Sequence, residues 1–170
     1  MSEQHYVRHE IDPIYDSNSR ILILGSFPSV KSRESNFFYG HPQNRFWRLL
    51  SALFECPLPQ TTEEKKVLLL SNRIAIWDVI ASCEITGSSD SSIRNVVPAD
   101  LCRITDTSPI EKIFTNGGTA DKLYRKYCRP QTQMDAIRLP STSPAAVVRC
   151  HVRDTHAGRY AGRLSYHRIC

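Results

Sequence analysis

A chain of 170 residues with 41% hydrophobic and 23% charged residues is long enough to bury a core of ordinary domain size, which excludes disorder and small disulfide-held scaffolds. Its formal net charge of +5 and its pI near 9.0 suit a polyanionic partner without requiring one. No run approaches the ~18 apolar residues of a membrane span, so no membrane partner is expected. The cysteines, six in all, contain no C-x-x-C pair, and the chain does not open on an apolar leader. The expectation is reduced thiols in a cytoplasm or nucleus, not a secreted protein.

Residues 1–19 are polar, with Pro13 and the run Asp16, Ser17, Asn18, Ser19 reading as a turn that leads across a domain edge. Ile21 to Leu24 is an uninterrupted apolar run, the pattern of a parallel strand buried on both faces. It stops at Gly25. The chain then needs roughly twenty residues to reach a helix whose apolar face is Phe46, Leu49, Leu50 and Leu53, and a loop that long after a strand is more often functional than accidental. In parallel sheets ligands bind outside the carboxyl ends of the strands, where this loop would lie.

Thr61 followed by Glu64 predicts a capping box at the start of a helix ending near Asn72. Ile74 to Trp77 reads as a second strand ending in Asp78, followed by a loop, ITGSSDSSIRN, whose Ser and Asp side chains fit either a ligand contact or a solvated turn. A short helix is expected from Pro98 to Leu101, and a third strand over Ile113 to Thr115. Asn116, Gly117 and Gly118 close that strand ahead of a helix holding Leu123, Tyr124 and Tyr127, and Ile137 to Leu139 is the fourth strand. Strands alternating with helices predict one α/β domain: a three-layer α/β/α sandwich around a mainly parallel four-stranded sheet. The segment LPSTSPA, from Leu139 to Ala145, is a stiff loop suited to a phosphate or a duplex wedge, or simply to a turn. The domain is placed at residues 1–146. Residues 147–170, rich in arginine, read as a basic, partly ordered tail.

GSFPS after the first strand, YGHPQNRFW before the helix, IWDVI with GSSDSSI, and LPSTSPA after the last strand together resemble the uracil-DNA glycosylase superfamily, specifically its hypoxanthine-DNA (deoxyinosine) glycosylase branch. The resemblance spans roughly residues 5–146 and implies excision of a deaminated base from double-stranded DNA. The nucleotide is flipped out and the base–sugar bond hydrolysed. It further implies a monomer with no cofactor or metal, and, with no lysine placed for a Schiff base, no strand cleavage.

Relatives with the HPxNRFW block carry an Asn where Phe27 stands, so the resemblance moves the catalytic amide to Asn44, a residue equally suited to capping the helix behind it. Tyr39 takes the position that stacks on the flipped base, worth about 1–3 kcal/mol. His41 fits polarisation of a base oxygen or a structural hydrogen bond. Gly25, Ser26 and the Phe27 backbone are expected at the base, with Asn116 reading a base edge. Pro28, Ser29, Pro140, Ser141, Thr142 and Ser143 are expected along the DNA strand. Leu139 stands where many relatives carry His, which argues against efficient uracil removal. The alternatives are a uracil, xanthine or mismatch glycosylase on the same fold, a non-catalytic nucleic-acid-binding relative, and a nucleoside hydrolase.

Overall fold

The computed structural model describes residues 4–146. The tail expected at 147–170, with Cys150 and Cys170, lies outside them. In chain order the elements are β1 (His5–Arg8), β2 (Ile21–Gly25), α1 (Val30–Ser35), α2 (Phe46–Leu53), α3 (Thr62–Ser71), β3 (Ile74–Asp78), β4 (Ile80–Ile85), β5 (Arg94–Pro98), α4 (Cys102–Thr105), β6 (Lys112–Asn116), α5 (Gly118–Leu123), α6 (Arg129–Thr132) and β7 (Ala136–Leu139).

β3, β2, β6 and β7 form, in that order, the expected parallel four-stranded sheet. β2 is central, and every one of its residues is buried. Its side chains alternate between two cores, as a strand's pleat requires. Ile21 and Ile23 pack with Phe46, Trp47 and Leu50 of α2 and Leu68 and Leu69 of α3. Leu22 and Leu24 pack with Leu101, Ile104, Tyr124 and Cys128 on the opposite face. Thr61 and Glu64 make the predicted capping box, Thr61 Oγ1 accepting from Glu64 N at 3.1 Å.

Several expectations need correction. The polar amino-terminal stretch contains β1, which pairs antiparallel with β4, and β4 pairs with β5 in a second, three-stranded sheet. Pro98 ends β5 instead of starting a helix. An edge strand tolerates a residue with no amide to donate, and the helix begins only at Cys102. Leu49 is 52% exposed because Trp47 takes its place on the buried face of α2. The predicted helix around Tyr124 is α5 and α6 joined by a wide π turn over Tyr124–Cys128, just before Pro130. Among the described residues no helix is long and apolar enough to cross a membrane. Cys56, Cys83, Cys102 and Cys128 are free thiols, and burial pushes Cys83 up to about 11 and Cys128 up to about 12.

Candidate active site

Strand ends β2, β3 and β6, with the loop after β7, converge on a cleft of about 850 Å³. Of the residues selected from sequence, Gly25, Ser26, Phe27, Pro28, Ser29, Tyr39, His41, Asn44, Asn116, Ser141, Thr142 and Ser143 line it; Pro140 does not. The long loop after β2 reaches the cleft in ordered steps. Ser29 caps α1, its Oγ accepting from Ser32 N at 3.2 Å, and the chain then turns through Asn36 and Tyr39, both with positive φ.

Asn44 stands just before α2 and lines the cleft. Its Oδ1 accepts from Phe46 N at 3.0 Å at the start of α2, while its Nδ2 has no hydrogen-bond partner among the described residues. His41 accepts from Gln43 N through Nδ1 at 3.1 Å, which leaves Nε2 uncommitted. Tyr39 stacks one ring face on Phe46, with centroids 3.9 Å apart. Its hydroxyl is buried, so desolvation raises its pKa well above the usual phenol range and the nearby Asp78 adds to that rise. Asn116, close by, works against that rise, but the Tyr39 hydroxyl makes no hydrogen bond of good geometry among the described residues. Asn116 Nδ2 donates to Thr142 Oγ1 at 2.9 Å, and Thr142 N donates to Asn116 Oδ1 at 3.0 Å.

That clasp holds the loop after β7 together with the backbone bond from Arg45 N to Thr142 O at 3.0 Å and a side-chain clasp. The Arg45 guanidinium supplies the side-chain clasp, donating through one terminal nitrogen to the carbonyls of Ser141, Ser143 and Ala146 at 3.0, 3.4 and 3.1 Å. Gly117, at φ +103, leaves room that any side chain would take from Ser141.

Three residues at or behind the cleft were not selected from sequence. Asp78, 4% exposed at the end of β3, lies in register with Gly25, and a Cβ on that glycine would sit 2.2 Å from Asp78 Oδ1. His9 donates from Nε2 to Asp78 Oδ2 at 2.7 Å; nothing in the local pattern around either residue points to a partner 69 positions away. Asp90, in the loop between β4 and β5, accepts from Ser26 Oγ at 3.1 and 3.2 Å. The Gly- and Ser-rich composition of that loop was the visible signal.

A fold whose parallel strand ends gather an Asn anchored at a helix start, a half-stacked Tyr and a clasped small-residue loop is an enzyme cleft of the kind that open α/β sheets build. The profile of the family described as "Uracil DNA glycosylase superfamily" matches residues 13–160, and the chain belongs to that superfamily. It is 32% identical over 140 residues to "Hypoxanthine DNA glycosylase" of Methanosarcina acetivorans, covering 82% of this chain and 88% of that one. With the protein of the same name from Methanosarcina barkeri it shares 30% identity over 131 residues, 76% of this chain and 83% of that one. The solution NMR structure of a candidate uracil DNA glycosylase from Methanosarcina acetivorans superposes with a TM-score of 0.77 at 28% identity, covering 94% of this chain and 97% of the other.

Proposed function

We propose that this DNA glycosylase excises hypoxanthine from double-stranded DNA, acting as a monomer and leaving an abasic site with the strand intact. The observation that carries the reading is Asn44: an amide fixed at the cleft by Phe46 N, with Oδ1 keeping a second lone pair and Nδ2 uncommitted. With the nucleotide flipped out, a water adds to the anomeric carbon as the glycosidic bond breaks, and the bonding electrons leave with the base. Asn44 Oδ1 accepts from that water and orients it, and its proton ends on the departing base. Nδ2 is the donor available to the leaving group.

Tyr39 offers the base the ring face that Phe46 does not cover. Gly25, Ser26 and the Phe27 backbone border the base, and His41 Nε2 is within the same cleft to meet a base oxygen. Pro28, Ser29 and the segment Pro140 to Ser143 follow the lesion strand, with Asn116 holding that segment through Thr142. Residues 1–146 form the catalytic domain and 147–170 a basic extension, into which the family match runs as far as residue 160. The setting is the compartment that holds the genome, a prokaryotic cytoplasm or a nucleus.

Single-turnover incubation with duplexes carrying one hypoxanthine, uracil or xanthine, followed by hot alkali, tests this. Breaks appearing only after alkali and mainly at hypoxanthine are expected. Asn44→Ala should lower that rate by roughly 10²- to 10⁴-fold while duplex affinity stays within a few-fold. Folded wild-type protein that releases none of the three bases would overturn the reading.

A further inference from the structure

Asp78 and His9 form a buried pair that the mechanism above does not use. Both side chains are almost inaccessible, at 6% and 2% exposure. His9 Nδ1 accepts from Ile11 N at 3.2 Å, which places the ring proton on Nε2 and makes Asp78 Oδ2 the acceptor. Phe27, Phe38 and Trp77 surround the imidazole at centroid distances of 5.9, 6.2 and 6.2 Å, so it cannot turn to another partner. The other oxygen, Oδ1, lies against Gly25 and receives no hydrogen bond from the described residues, although Asp78 lines the cleft. An acceptor oxygen that opens to the cleft and receives no protein donor is free to take one from a ligand. The Tyr39 hydroxyl, 3.5 Å from where a Cβ on Gly25 would stand, is a second polar atom on this floor without a partner.

The deepest part of a flipped nucleotide is the base edge, because the sugar stays tied to the backbone at the mouth. We propose that Asp78 Oδ1 accepts the ring N–H of the lactam that deamination creates, N1–H in hypoxanthine, and is thereby a specificity-determining residue. Deamination turns the N1 acceptor of adenine into an N–H donor beside a carbonyl. The carboxylate bonds to the donor and repels the lone pair, so the floor reads the change itself. Uracil and xanthine carry the same kind of N–H next to a carbonyl. His9 is a positioning residue that fixes which oxygen faces the cleft. This inference rests on the glycosylase reading and adds the group that recognises the lesion.

Asp78→Asn tests it on the full chain. His9 Nε2–H holds the amide oxygen, so the variant turns its NH₂ toward the cleft and presents a donor where the carboxylate presented an acceptor. The probes are duplexes carrying hypoxanthine or unsubstituted purine, whose N1 is an acceptor, in single-turnover excision. The hypoxanthine-to-purine rate ratio should fall by roughly 10- to 100-fold in the variant, the range for losing a hydrogen bond to a charged group. His9→Phe, which keeps the ring packing and removes the donor, should narrow the same ratio.

A second measurement needs no variant: wild-type protein should excise 1-methylhypoxanthine at least about tenfold more slowly than hypoxanthine. Equal rates there, or a ratio unchanged in a folded Asp78→Asn protein that still excises hypoxanthine, would overturn the assignment. Wild-type protein inactive on hypoxanthine would instead remove the glycosylase reading beneath it.

Discussion

Asp90 shows how a single side chain at this cleft sets stability against function. Burial among the cleft walls raises its carboxyl above the usual range, the Ser26 hydrogen bond works against that rise, and the charge of Asp78 adds to it. Asp90 keeps solvent access at the rim, so desolvation acts on it only in part. A carboxyl raised in the folded state binds its proton more tightly there than in the unfolded chain. Its ionised form therefore weakens folding above the folded pKa, and the penalty vanishes below the unfolded value near 3.8. Asp90→Asn should accordingly raise the melting temperature at pH 7 and leave it unchanged near pH 3, as calorimetry at the two pH values would show. An equal shift at both would mean that the charge is not the cause. Asn44, Tyr39 and the loop serines were legible because each lies in a short motif at a strand end. His9 was not, since its meaning depends on a contact with Asp78 that only the folded chain creates.

Helices and strands divided along the same line. The apolar run of β2 and the Thr61 capping box identified themselves, because one is local composition and the other local spacing. The sheet of β1, β4 and β5 was missed. Its strands are short, and Ile80–Ile85 follows β3 after a single residue, so the boundary carries no turn signal. α1 was missed for a related reason: six residues, VKSRES, with only Ser32 buried, leave no apolar stripe. At this scale the loop after β7 depends on Arg45, at the N-cap of α2, which ties three of its carbonyls to one guanidinium. Arg45→Ala should weaken binding to lesion-containing duplex by about tenfold and speed amide exchange over residues 141–146, while the amides of β2 keep their protection. Unchanged exchange in the loop would show that the Asn116–Thr142 clasp and the backbone bond from residue 45 to Thr142 O suffice without the guanidinium.

For the molecule as a whole, the two cores on opposite faces of one parallel sheet were the most legible feature, because four apolar runs separated by helical patterns leave few other packings. The third cluster, where Phe27 meets Ile80, Cys83, Ile85 and Ile93, joins the second sheet to the cleft, and no periodicity announced it. Net charge is a property of this scale as well. With +5 on the chain, affinity for undamaged duplex should fall steeply with salt, log K against log[salt] losing about 0.9 per phosphate neutralised. Titration by fluorescence anisotropy at several salt concentrations measures that slope. A flat response would contradict a duplex-binding surface.

The His9–Asp78 bond bears on where the working unit begins. The family profile starts at residue 13, so the imidazole that orients the cleft floor belongs to a stretch that a boundary drawn from that profile would trim away. A protease nick or an expression boundary placed at that point would spare all four strands of the parallel sheet. It would remove β1 together with His9, leaving Asp78 to turn freely. Such a shortened protein also loses the buried Ile11 and the bond from Trp77 Nε1 to its carbonyl, so it is expected to melt at a lower temperature and, while folded, to lose its ranking of bases, which a panel of lesions would expose.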